Sequence, residues 1–115
     1  QVPRQFAAFD KASPVFGRTF AWSLTMCDGF TPRSDEPVPT IHAAGAAPIV
    51  VIGTTRDPAT PYRWAVALAH QLDSGVLVTR DGDGHTGYHQ GNACVDHAVE
   101  SYLVSGIIPT NGLSC

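Results

Sequence analysis

Apolar positions along the chain gather into short blocks separated by polar stretches rich in glycine and proline. The sharpest block is Pro48-Ile49-Val50-Val51-Ile52-Gly53. Its β-branched residues do not alternate with polar ones, which predicts a strand covered on both faces, as in a parallel sheet. Thr60-Pro61 then supplies a cap and a proline at the first helical position. Ala65, Leu68, Ala69 and Leu72 follow at helical spacing, and Gly75 stops the pattern. Val76-Leu77-Val78-Thr79 predicts a second strand, followed by a loop rich in glycine, aspartate and histidine through Gly91. A last helix is predicted from near Asn92, with Val95, Ala98, Val99, Tyr102 and Leu103 on one face and Gly106 at its end.

The preceding part is less regular. Residues 1–13 are mixed, with Phe6 and Phe9 as apolar anchors. Ser13-Pro14 repeats the cap-and-proline device, and Phe16, Phe20 and Leu24 recur every four residues, which predicts a helix to about Cys27. Gly17 and the threonines weaken that pattern. Residues 28–47, dense in proline and glycine, predict a long loop, and loops beyond about 12–15 residues are usually functional or covering segments.

The order strand, helix, strand, helix predicts an α/β fold with adjacent parallel strands joined by a crossover helix. Two strands do not make a stable sheet of this kind, so the expected unit is a portion of a larger one. Composition agrees. With 115 residues there is room for one small domain, and 43% hydrophobic against 15% charged residues leaves surface meant to be covered. The net charge of −3, with seven Lys and Arg spread along the chain, speaks against a nucleic-acid partner. No apolar run approaches the roughly 18–20 residues that span a bilayer. The chain opens on Gln1 with neither initiator Met nor apolar leader, so an end made by processing or cutting is expected.

Two residues carry the candidate chemistry. Active sites of open α/β sheets lie beyond the carboxyl ends of the strands. Asp57 stands four residues after Gly53 and His85 six after Thr79, just past the first and second strands. Neighbouring strands are about 4.8 Å apart, so the acid can reach the imidazole, orient it and support its charged form. In α/β-hydrolases the chain order is Ser, acid, His, and this sequence supplies the last two. It contains no G-x-S-x-G, so the nucleophile is expected on upstream sequence. Asp83 is the rival acid, but two residues from His85 in a tight loop it is expected to point elsewhere. Asp81-x-Asp83-Gly84 opens like a calcium loop without the later acidic ligands, and His85 and His89 have zinc spacing only on a helix, which Gly84 and Gly87 oppose. No metal and no cofactor are expected. His42, His70 and His97 read as surface or structural histidines, Trp22 and Trp64 as packing residues, and Tyr88 as a pocket edge or a cover for the sheet. Of the three cysteines, Cys94 and Cys115 could staple the tail to the last helix; three buried free thiols are the alternative.

Gly53-Thr54-Thr55-Arg56-Asp57-Pro58-Ala59-Thr60-Pro61 resembles the acid loop of tripeptidyl aminopeptidase-like α/β-hydrolases. Asp83-Gly84-His85-Thr86-Gly87-Tyr88 resembles their histidine loop, and the stretch from Cys94 through Tyr102-Leu103, Gly106, Pro109 and Gly112 to Cys115 their C-terminal signature. The likeness covers residues 48–115 well and 14–27 loosely. It implies that residues 48–115 are the C-terminal strand-helix-strand-helix portion of an α/β-hydrolase and that residues 1–47, a helix and a long loop, lead from lid to core. It further implies a bacterial serine exopeptidase, secreted or in the cell envelope, that releases short N-terminal peptides. Asp57 takes the role of orienting acid, His85 that of general base, and Cys94 and Cys115 are paired in a disulfide. The expected partners are a peptide substrate and the upstream part of the same protein, without which this chain is expected to be inactive. The first alternative is a non-catalytic module that caps, binds or dimerises, self-associating through an open sheet edge. The second is an esterase on the same fold.

Overall fold

In a computed structural model, which describes residues 2–27, 35–37 and 39–115, both apolar runs are strands and lie side by side. The chain divides into two compact units, Gln1–Pro37 and Val38–Cys115.

In the second unit, β1 (Ile49–Arg56) and β2 (Gly75–Asp83) pair in parallel, with Ile49 opposite Gly75 and Gly53 opposite Thr79. Both run past the apolar blocks that announced them, and side-chain hydrogen bonds hold their polar ends. The Thr55 hydroxyl accepts the Gly82 N–H at 3.1 Å and donates to Asp81 at 2.8 Å. A third strand, β3 (Leu113–Ser114), pairs in parallel with β2, giving the order β1-β2-β3. Two residues carry no periodicity, so this strand was illegible in the sequence. The tail is delivered to β2 by the Gly112 N–H on the Leu77 carbonyl (2.9 Å) and the Cys115 N–H on the Thr79 carbonyl (2.8 Å).

The helices cover opposite faces, as the α/β reading requires. On one face, Val95 and Val99 of α4 (Ala93–Ser105) pack on Val78, with Val50, Ile52, Leu113 and Cys115 around them. Val78 and Val95 are fully buried, and burying one such side chain is worth roughly 1.5–3 kcal/mol. On the other face, Tyr62 and Ala65 of α3 (Tyr62–Gln71) rest directly on Gly53, and the Tyr62 and Thr79 hydroxyls are 2.7 Å apart. Asn92 caps α4: its side-chain oxygen accepts the N–H groups of Cys94 (3.1 Å) and Val95 (3.2 Å). Its amide nitrogen donates to the Cys115 carbonyl at 2.7 Å. The Cys94–Cys115 disulfide is present and locks the tail to the first turn of that helix.

The first unit corrects one expectation. Ser13-Pro14 does not open a helix. Ser13 ends α1 (Phe6–Ala12) in extended backbone, and its hydroxyl accepts the Phe16 N–H at 3.3 Å to make a turn. The next helix, α2 (Gly17–Trp22), starts at the glycine that had counted against it, and a 3₁₀ turn, Ser23–Cys27, follows. A Cβ at residue 17 would lie 2.3 Å from the Phe9 carbonyl oxygen, so only glycine lets α1 and α2 approach this closely. The two tryptophans expected to pack are each more than half exposed. Trp22 meets Phe6 edge-on at 5.8 Å, and Trp64 on α3 lines a cavity together with Val51 and Gly53 of β1. Part of the loop expected over 28–47, residues 28–34 and 38, lies outside the described residues, as does Gln1; residues 35–37 and 39–48 form no helix or strand. Among the described residues no helix is long and apolar enough to cross a membrane.

Candidate active site

Asp57 follows directly on β1, at a break in the ladder. Thr54 faces Arg80, but Arg56 faces Asp83, so the register slips between them. Such irregularities bend a strand and re-aim its side chains. Pro58 has no N–H to give, and the Asp57 carboxylate collects the next two: Ala59 and Thr60 donate to Oδ1 at 2.8 and 2.9 Å. The Thr60 hydroxyl and the Thr86 N–H donate to Oδ2 at 2.7 and 3.2 Å. Only 3% of the Asp57 side chain is exposed. Burial works to raise its pKa, but the hydrogen bonds from the Thr60 N–H, His85, the Thr60 hydroxyl and the Ala59 N–H outweigh it. Together they hold the carboxyl well below the usual range.

His85 stands two residues past β2, with Nδ1 2.9 Å from Oδ2 and 3.1 Å from Oδ1 of Asp57. An ionised carboxylate can only accept. The proton between them therefore sits on Nδ1, so in the neutral ring the lone pair is on Nε2; the side chain is 54% exposed. A loop folded back on the sheet places this ring. Gly87 lies so close to β1 that a Cβ there would be 2.5 Å from Ile52 Cγ2, so any larger residue would have to displace the Ile52 side chain. A cavity of about 380 Å³ reaches Asp57, lined also by Thr60, Trp64, Thr86 and Tyr88, and runs beside β1, which among the described residues pairs only with β2.

The other candidates fall elsewhere. Asp83 turns away from His85 to Arg56 Nε at 2.8 Å, and Asp81 meets the same guanidinium at 2.8 Å. His89 stacks on Tyr88 with ring centroids 4.0 Å apart, and its N–H donates to Asp96 at 2.7 Å. His42 approaches Asp73 at 3.4 Å, with both side chains more than half exposed. Among the described residues no group of three or more His, Cys, Asp or Glu could hold a metal ion.

Three threonines around the pair were missed. Thr60 could have been found, since Asp-Pro-x-Thr ahead of a helix is an aspartate-initiated turn. Thr86 has φ +71° and Thr54 is 3% exposed; nothing local in the sequence announces either.

A parallel sheet clad by helices on both faces, with an acid and an imidazole in contact at the carboxyl ends of adjacent strands, defines an α/β-hydrolase architecture. Comparison with known proteins narrows this. The family model described as TAP-like protein matches residues 13–115, and the chain belongs to that family. It is 46% identical over 84 residues to serine protease Hip1 of Mycobacterium tuberculosis, covering 73% of this chain and 16% of that protein. Carboxylesterase B of the same organism gives the same identity and coverage. Tripeptidyl aminopeptidase of Streptomyces lividans is 28% identical over 96 residues, covering 83% of this chain and 18% of that protein. The chain thus spans less than a fifth of the length of these relatives.

Proposed function

We propose that this chain supplies the acid and the base of a serine hydrolase, as the C-terminal part of a longer secreted or cell-envelope exopeptidase. The observation that carries the reading is the buried, ionised Asp57 fixed on Nδ1 of His85, which leaves Nε2 free to take a proton. A serine hydroxyl from upstream sequence attacks the peptide carbonyl and gives its proton to Nε2. The imidazolium, supported by Asp57, returns that proton to the leaving amine, and water then releases the acyl group by the same two transfers. The disulfide supports an oxidising compartment. Peptidase is preferred because relatives named as a serine protease and as a tripeptidyl aminopeptidase both match. Esterase is the second reading, because a relative named carboxylesterase matches at equal identity.

The test uses the full-length protein that carries this chain. Fluorophosphonate labelling should mark one serine upstream of residue 1, and the labelled protein should lose hydrolysis of N-terminal tripeptide amides. No labelling and no hydrolysis of peptide or ester would end the hydrolase reading. Ester hydrolysis without peptide hydrolysis would turn it to the esterase.

A further inference from the structure

Thr54 is buried near the end of β1, and the hydrogen bonds of its hydroxyl and carbonyl go to backbone groups rather than to the side chains of Asp57 and His85. Both nonetheless reach into the two loops that carry them. The Thr54 carbonyl accepts the Asp57 N–H at 3.3 Å, which starts the acid loop. The Thr54 hydroxyl donates at 2.8 Å to the carbonyl of Thr86, the residue directly after His85. Thr86 is β-branched yet holds φ +71°, a left-handed conformation that such residues almost never adopt unless their surroundings impose it. Here the surroundings are explicit. The Thr86 N–H is tied to Asp57 Oδ2 at 3.2 Å, and its carbonyl is tied to Thr54. Gly87 then lies flat against Ile52 and 3.5 Å from the Thr54 hydroxyl oxygen by the position a Cβ would take. The peptide groups on both sides of the strained residue are thus pinned, one to the acid and one to the strand beneath it.

Resting on the hydrolase reading above, we propose that Thr54 is a positioning residue that sets the acid loop and the base loop in one register. Its hydroxyl holds Thr86 left-handed, and that backbone turn aims the Nδ1 edge of His85 at Asp57. Without the hydroxyl, Thr86 relaxes toward its ordinary conformation, the ring swings from the carboxylate, and turnover falls while substrate binding is kept. Misplacement on the order of 1 Å costs roughly 10²-fold in rate.

The test compares Thr54→Val, which keeps shape and removes the hydroxyl, with Thr54→Ser, which keeps the hydroxyl, in the full-length protein. For Thr54→Val we expect kcat to fall roughly 10²-fold with KM moved less than about threefold, and Thr54→Ser to stay within about threefold of the parent in both. A second readout does not depend on hydrolysis. The Nδ1 proton of His85, identified by its loss in His85→Gln, should give a slowly exchanging downfield NMR signal that persists in Thr54→Ser and broadens away in Thr54→Val. If Thr54→Val does not fold, Thr54→Ala is read in the same way. An unchanged Nδ1 signal on loss of the hydroxyl, or a serine variant that behaves like the valine one, overturns the proposal. If the parent hydrolyses nothing, the hydrolase reading fails by that result, and the Nδ1 signal still decides whether Thr54 aims the ring.

Discussion

Two groups of carboxylates stand at the carboxyl edge of the sheet, and they are held in opposite ways. Asp57 is 3% exposed and accepts three backbone N–H groups, one hydroxyl and Nδ1 of His85. Asp81 and Asp83 are 65% and 83% exposed and share the guanidinium of Arg56. Hydrogen bonds favour the ionised form of Asp57 and of Asp81. The Thr55 hydroxyl and then Arg56 lower the Asp81 pKa, and Asp83 and Asp81 raise that of Arg56. What differs is orientation. An exposed ion pair of long side chains is worth about 0–1 kcal/mol and leaves its carboxylates free to turn. Backbone donors from a tight turn fix Asp57 in one pose. Under the proposed hydrolase reading, an imidazole that keeps one tautomer calls for the fixed carboxylate rather than the solvated ones.

The largest effect should come from Asp57→Asn. The amide oxygen can still take the N–H groups of Ala59 and Thr60, which turns the amide NH₂ toward His85. Nδ1 then has to accept, the ring proton moves to Nε2, and the base is lost. Turnover of the full-length protein should fall by about 10⁴-fold with its circular dichroism spectrum unchanged. A loss under tenfold would mean that burial and fixed donors do not mark the working acid. Stability adds a pH signature. The folded pKa of Asp57 lies below its ordinary 3.8, so its ionised form stabilises the fold above that value, and the contribution fades only as pH falls through the depressed one. Urea midpoints of wild type and Asp57→Asn should keep a constant gap from neutral pH down to about pH 4 and converge below it. Convergence at neutral pH would contradict the ionised carboxylate.

How far the sequence carried this contrast depends on the range of the interactions. The apolar runs announced β1, β2 and α4, since burial on both faces leaves unbroken β-branched residues and a helical stripe leaves Val95, Ala98 and Val99 in phase. The contact of Asp57 with His85 was legible because positions just past two strand ends are one-dimensional facts. β3 was not, because Leu113 and Ser114 are placed by the disulfide and by bonds to Leu77 and Thr79, far away in sequence. Ser13-Pro14 misled because a stop and a start use the same residues, and the Gly17 contact with Phe9 decided between them. The left-handed Thr86 defied reading altogether, since the groups bonded to its two peptide units, Asp57 and the Thr54 hydroxyl, lie about thirty residues away in sequence.

A middle-sized effect separates local holding from global stability. The Cys94–Cys115 bridge closes a separation of 21 residues, for which the chain-entropy account gives about 3 kcal/mol. None of the groups that donate to Asp57 is on the bridged tail. Replacing both cysteines by serine should therefore lower the urea-derived unfolding free energy by about that amount. Turnover at low temperature should change by less than about threefold, well below the tenfold that 1.4 kcal/mol on the barrier would give. If activity fell in step with stability, the fixed pose of Asp57 would depend on the whole unit rather than on its own turn.

The smallest effect should come from Asp83→Asn, although Asp83 is nearer to His85 in sequence than Asp57 is. The substitution removes one of the two carboxylates on Arg56, and Asp81 keeps the other contact at 2.8 Å. The Asp83 carbonyl, which accepts the Arg80 guanidinium at 2.9 Å, is unaffected by a side-chain change. What remains is the loss of one contact in an exposed pair that does not reach His85, so kcat should stay within about threefold of the parent. Salt gives an independent check. Charges this exposed are screened beyond about 10 Å at 0.1 M ionic strength and within about 3 Å at 1 M. Raising salt should thus erase even the small difference between parent and Asp83→Asn, while leaving the gap between parent and Asp57→Asn untouched. A large, salt-resistant defect in Asp83→Asn would reverse the ranking of the two carboxylates and make the rival acid the one that orients His85.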